Sequence, residues 1–353
     1  MSSLPSAEQY PLLLDPARGE IGFMPTTRTA LSSAPFLDRR FAEPSAATSR
    51  ETIATLSAAA AGLSQPPMIF HTAFCCSTLL ASALDHPGRV LALKEPDVLM
   101  QLANLPRVHK AVREDQQALA RLTQLVLRLL GRRFSAQEQV ILKPTNASAN
   151  LLSTLITFEA PLLLLYADLR AFLVSVIKKG EAGRWFVRHL LNIFRLDGMA
   201  LEQWQERERM LLTDLQVATL VWWHQIDNYV SALSARGSAP VGTLSAGAFL
   251  ANPLASLTAV NEFARLRLPR EMVIAAAEGQ AFQRHSKFAD LEYDSAQRAE
   301  ERAEIEAQHG DAISLTLAWS SKLRGSSRAV DDALLVLRQH SVLATERADE
   351  RFP

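Results

Sequence analysis

Four short runs in this chain place charged or hydroxyl-bearing residues directly after apolar segments. They are His71-Thr-Ala-Phe-Cys-Cys-Ser-Thr78, Lys94-Glu-Pro-Asp97, Lys143-Pro-Thr-Asn146 and Ala167-Asp-Leu-Arg170, the last with Ser175 further on. The first has the chemistry of an anion cradle. A tight turn of small residues offers successive backbone N–H groups, the following helix adds a partial positive charge, and Ser77 and Thr78 supply hydroxyls. It lacks the glycines and the lysine of a Walker A loop. Glu95 is the candidate general base, because a carboxylate in a partly desolvated cleft can take a proton from a hydroxyl. Lys143, with Lys94, is the candidate cation for a transferred anionic group.

Each assignment has a plainer competitor. Ser77 and Thr78 also suit ordinary helix capping. His71 could be a satisfied core histidine, and Cys75 and Cys76 small buried apolar residues, although a helix N-terminus favours thiolate. Glu95 could be a surface charge paired with Lys94, and Lys143 an exposed lysine before Pro144. Arg170 and Ser175 could serve only the start of their own helix.

These residues need a scaffold that brings strand ends together. Apolar runs at Met68–Phe70, Val90–Leu93, Val140–Leu142, Leu162–Tyr166 and Val241–Leu244 read as buried strands. Helical patterns lie between them, near Ser77–Leu84, His109–Arg132, Ala147–Phe158, Arg170–Lys179, Ala182–Leu196 and Leu201–Ala235. That alternation implies a parallel sheet covered on both faces, with ligands bound beyond the carboxyl ends of the strands. The expected organisation is an N-terminal extension of loops and short helices (1–65), an α/β domain (66–268) and an all-helical C-terminal cap (269–353).

Composition narrows the classes. The 353 residues carry 37 basic and 37 acidic side chains, which argues against binding nucleic acid by charge. No apolar run approaches the roughly 20 residues of a membrane span. With no leader-like N-terminus and only two adjacent cysteines, the expected setting is a reduced cytoplasm without a structural metal.

From Met68 to Leu268 the order of motifs resembles the P-loop sulfotransferases, which move a sulfuryl group from 3′-phosphoadenosine 5′-phosphosulfate (PAPS) to an acceptor. Cys75-Cys-Ser-Thr-Leu-Leu80 stands where that family has its 5′-phosphosulfate loop. Lys94-Glu-Pro96 and Lys143-Pro-Thr-Asn146 match the next two strand ends, and Leu165-Tyr-Ala-Asp-Leu-Arg-Ala-Phe-Leu-Val-Ser175 matches the 3′-phosphate element. Leu244 to Pro253 and the helix to Leu266 resemble the later strand, proline and long helix.

The resemblance implies a three-layer α/β/α fold with about five parallel strands. It also implies PAPS held by His71, Cys75, Cys76, Ser77, Thr78, Arg170 and Ser175, with catalysis by Glu95, Lys143 and Lys94. A hydroxyl or amine of a small molecule or glycan would accept the group, and a homo-oligomer is compatible with it. The chain departs from the family where Phe74 replaces the loop's basic residue, Cys76 its glycine and Ala167 the first arginine of the 3′-phosphate motif. Lys94, Lys143, Arg170, Arg284 and Lys287 are the candidate replacement cations. Two alternatives follow: a non-catalytic ligand-binding member of the fold, or another P-loop nucleotide-binding phosphotransferase.

Overall fold

The computed structural model describes residues 4–199, 204–279, 282, 284–285, 288–292 and 295–348. Its centre is a five-stranded, all-parallel sheet built from β4 (Met68–His71), β5 (Val90–Lys94), β6 (Gln139–Lys143), β7 (Leu162–Tyr166) and β8 (Val241–Ser245). The spatial order is β5-β6-β4-β7-β8, so β4 is the central strand. All five expected strands are present. β4, β5 and β7 are buried at every position, as expected of strands covered by helices on both faces. The fold is a three-layer α/β/α arrangement.

The order of the strands fixes where a ligand could sit. The chain leaving β4 runs by the Ser77–Leu84 helix toward β5 on one side, and the chain leaving β7 runs toward β8 on the other. Neighbouring strands whose connections diverge leave a crevice at their carboxyl ends. The β8 edge is closed by the chain after the Ala329–Gln339 helix: Thr243 N–H donates to His340 O (3.0 Å) and Val342 N–H to Thr243 O (2.9 Å). Gly242 permits this approach, since a Cβ there would lie 2.7 Å from Val342 Cγ1.

The N-terminal region differs from the expectation of loops and short helices. Alongside short helices it contains an antiparallel sheet of β1 (Gln9–Asp15), β2 (Glu20–Pro25) and β3 (Ser49–Thr52). A register shift between Pro11 and Leu13 breaks the regular alternation that would have revealed β1. The sheet is tied to the α/β layer through Gln101, which accepts from Leu14 N–H and donates to Leu12 O, both at 2.8 Å. Arg132, buried among backbone carbonyls, donates to Pro5 O, Ser6 O and Gln9 O.

Several helices also differ from the sequence expectation. The stretch expected as one helix over His109–Arg132 divides at Asp115, whose carboxylate caps Gln116–Leu130 by accepting from Ala118 N–H. Leu201–Ala235 likewise resolves into Glu206–Met210 and Asp214–Ser234, because Thr213 and Gln216 form a reciprocal capping box at the start of the latter. The C-terminal region is not all helical, since Arg284–His285 pairs with Phe288–Glu292 in an antiparallel ribbon. No helix among the described residues is long and apolar enough to cross a membrane.

Candidate active site

The turn after β4 is built from unusual backbone. Phe74 (φ 59°) and Cys76 (φ 61°) are both left-handed, and so is Glu95 (φ 55°) at the end of β5. Left-handed geometry costs an ordinary L-residue about 1–2 kcal/mol. These are three of only five non-glycine residues with positive φ among the described ones, and all three sit at the strand ends. Strain concentrated in this way points to a site rather than to a routine turn.

Cys76 closes the turn as the N-cap of Ser77–Leu84, without a side-chain cap. Ser77 is 7% and Thr78 4% exposed, and neither hydroxyl has a hydrogen-bond partner among the described residues. Plain capping is therefore not what occupies them. Neither oxygen is among the fully buried unpartnered ones, so both hydroxyls stay accessible at the positive end of a helix, where they suit an anionic oxygen.

The remaining loop residues hold the turn in place. Thr72 N–H donates to Leu165 O (3.0 Å), and Ala167 N–H donates to Thr72 Oγ1 (3.1 Å), locking the turn to the end of β7. His71 is buried with Nδ1 3.0 Å from Thr72 O and Nε2 3.1 Å from Pro144 O, bridging the turn to the chain leaving β6. Cys75 points into the core and donates to Thr72 O (2.8 Å). Burial pushes its thiol up to about 12, which keeps it protonated and removes it as a nucleophile. Phe74, where the resembled family has a cation, lies against Phe172 (5.8 Å between ring centres) and Phe186 (5.6 Å).

Next to the turn lies an ion pair. Lys143 Nζ donates to Glu95 Oε1 at 2.5 Å, and Glu95 N–H donates to Lys143 O at 2.6 Å. The Lys143 side chain is 1% exposed and that of Glu95 18%, so solvent reaches this pair from the carboxylate side. His71 Nε2 is 4.0 Å from the same Oε1. Glu95 is thus neither a free surface carboxylate nor the partner of Lys94. The Lys94 ammonium donates to Ser32 O (2.6 Å), and burial lowers its pKa from the ordinary lysine value.

Arg170 and Ser175 lie on the Leu169–Lys178 helix that leaves β7. Ser175 Oγ donates to Ala171 O (2.8 Å), and neither residue has a hydrogen bond or ion pair to the β4 turn among the described residues. The structure therefore brings His71, Glu95 and Lys143 together at the strand ends, with Ser77 and Thr78 at the start of the helix that the same β4 turn leads into. Lys94 and the Cys75 thiol are turned away, and Arg170 and Ser175 stand apart. Lys287 and the side chain of Arg284 lie outside the described residues.

Sequence reasoning missed one contributor. The segment 36–40 is pinned across the end of β5, with Leu37 N–H donating to Lys94 O (2.7 Å) and Asp97 N–H to Leu37 O (2.9 Å). It places Phe36 with its ring centre 5.7 Å from Lys143 Nζ and 4.1 Å from Arg40 Cζ. The Asp38 carboxylate, and more weakly Glu95, hold the Arg40 guanidinium above its ordinary pKa. Arg40 is thus a cation at the rim of the site, supplied from a region with no motif of its own. Among the described residues no group of three or more His, Cys, Asp or Glu is arranged to hold a metal.

No family model matches the chain. No curated protein matches it either. Among solved structures, a sulfotransferase domain from the curacin biosynthetic pathway aligns at 14% identity, over 70% of this chain and 99% of its own, with a TM-score of 0.40.

Proposed function

We propose that the chain is a sulfotransferase-like enzyme that binds PAPS at the β4 turn and transfers its sulfuryl group to a hydroxyl or amine of a small-molecule or glycan acceptor. The observation that carries this reading is the pair of unpartnered hydroxyls of Ser77 and Thr78, on otherwise buried residues at a helix N-terminus, at the end of the turn that His71 links to the Glu95–Lys143 pair. The order of motifs along the sequence supports the sulfonucleotide rather than another anion.

In this mechanism the backbone N–H groups of the turn, with Ser77 and Thr78, hold the 5′-phosphosulfate. Glu95 accepts the acceptor's proton as the acceptor oxygen or nitrogen bonds to sulfur. The bond from sulfur to the bridging phosphate oxygen breaks, and adenosine 3′,5′-bisphosphate leaves. Lys143 leaves Glu95 as that carboxylate is neutralised and turns to the sulfuryl oxygens, where positioned charge lowers the barrier. His71 keeps the two strand ends in register. Arg170 and Ser175 receive the 3′-phosphate once Ser175 turns from Ala171 O. Lys94 and Cys75 have structural roles.

Calorimetry with adenosine 3′,5′-bisphosphate tests the reading. Binding that weakens at least tenfold in the Ser77→Ala, Thr78→Val double variant is expected, since hydrogen bonds to a charged group contribute about 1.5–3 kcal/mol each. Absence of binding to the wild-type protein would overturn it.

A second reading, a non-catalytic ligand-binding protein of the same fold, is favoured by Phe74, which fills a cation's place with aromatic packing. It expects nucleotide binding without turnover, and Glu95→Gln would then leave every measured function unchanged.

A further inference from the structure

A cavity of about 530 Å³ opens where four helices meet, away from the strand ends. Its walls are the last turn of Leu169–Lys178, the first turns of Gly180–Leu196 and of Asp214–Ser234, and the middle of Ser295–Leu323. That volume falls within the roughly 300–1,000 Å³ of small-molecule sites. None of its lining residues belongs to the strand-end cluster.

Its lining has two characters. Ile177, Leu315 and Trp319 form an apolar wall. Leu315 and Trp319 stand one turn apart on the same helix face, and Leu315 is 72% exposed. The opposite rim is polar, with Arg184 and Asp214 on it and Arg188 just outside. Asp214 is bound by Arg188 at 2.7 Å, which leaves Arg184, 3.8 Å from the same carboxylate, as the less committed of two guanidiniums sharing one negative charge. The positive end of the 21-residue Asp214–Ser234 helix lies at this rim, and His309 lines the cavity from the Ser295–Leu323 side. The capping box satisfies the N–H groups of Thr213 and Gln216, so the helix end contributes mainly field and Arg184 the side-chain donors.

An apolar slot whose rim sets two guanidiniums, Arg184 on the lining and Arg188 beside it, against the single Asp214 carboxylate favours an amphipathic molecule with an anionic head. We infer that this cavity binds a small amphipathic anion, its apolar body against Ile177, Leu315 and Trp319 and its carboxylate or sulfate head on Arg184. This site does not depend on nucleotide binding at the β4 turn, so either can fail without the other.

The test uses dodecanoate below its micelle concentration, followed by calorimetry on the full chain, with dodecyltrimethylammonium as the cationic counterpart of equal tail. Wild-type protein is expected to bind dodecanoate at least tenfold more tightly than the cation. Arg184→Gln is expected to reduce dodecanoate affinity about tenfold, the loss of one charge-assisted hydrogen bond. Leu315→Glu, a change at an exposed position, is expected to abolish binding, while Leu315→Met retains it. No measurable dodecanoate binding, equal affinity for the two amphiphiles, or unchanged affinity in both Arg184→Gln and Leu315→Glu would overturn the inference.

Discussion

Replacing Cys76 by glycine and, separately, by alanine isolates the cost of the turn that presents Ser77 and Thr78. Both changes remove the same thiol and its half-buried contacts, so their difference reports the backbone. At φ 61° the alanine variant retains the left-handed penalty of about 1–2 kcal/mol, which glycine escapes. Glycine loses about 0.5–1 kcal/mol more conformational entropy on folding than alanine. The net expectation is that Cys76→Gly is more stable than Cys76→Ala by about 0.5–1 kcal/mol. At Ser82, in the interior of the same Ser77–Leu84 helix, the sign reverses, with glycine about 1 kcal/mol below alanine. Urea unfolding of the four variants, compared at equal denaturant dependence, measures both differences. If glycine is the less stable substitution at both positions, the turn is not held in left-handed geometry and the strain argument for this site is wrong.

The Glu95–Lys143 pair should behave as a unit. Glu95→Gln or Lys143→Met alone is expected to cost about 2–4 kcal/mol, whereas the double variant recovers at least half of the summed loss; additive losses in a double-mutant cycle would contradict the close pairing. His224 packs on Phe194 (4.5 Å between ring centres), and burial lowers its pKa below the usual histidine value. The neutral ring is favoured in the folded state, so stability present above about pH 6.5 falls as pH drops through the depressed folded value. His224→Gln should flatten that decline between pH 7 and 5, and an unchanged slope in urea midpoints would remove His224 as its source. Cys75, its thiol raised to about 12 by burial, should resist iodoacetamide at pH 8 until the chain unfolds; mass-spectrometric labelling of Cys75 in the native protein would count against its buried placement.

The parallel sheet was legible because strands buried on both faces read as unbroken apolar runs, as in Leu162–Tyr166. β1 was not, since Pro11 and the adjacent register shift disguise its alternation. The residues of the proposed site were visible as strand-end runs, but their pairings were not. Glu95 sits next to Lys94 in sequence, yet the β5–β6 register pairs Lys94 with Lys143, and it is Glu95, one residue past the strand, whose carboxylate meets the Lys143 ammonium. Its left-handed backbone also runs against the extended preference of a residue before proline, so no local rule signals it. Arg40 and Phe36 reach the site because main-chain bonds of Leu37 anchor their segment, and such bonds leave no mark on residue type. Trp319 and His309 carry no motif, and they line an open cavity between four helices, where Trp319 also packs edge-on against Trp204 (6.1 Å between ring centres).

Diffraction from crystals soaked in adenosine 3′,5′-bisphosphate tests the central claim most directly. The expected result is a 5′-phosphate within hydrogen-bonding distance of the backbone N–H groups from Cys75 to Thr78 and of the Ser77 and Thr78 hydroxyls, with Glu95 and Lys143 at its open side. A nucleotide bound elsewhere, or a β4 turn left empty at saturating ligand, would contradict it.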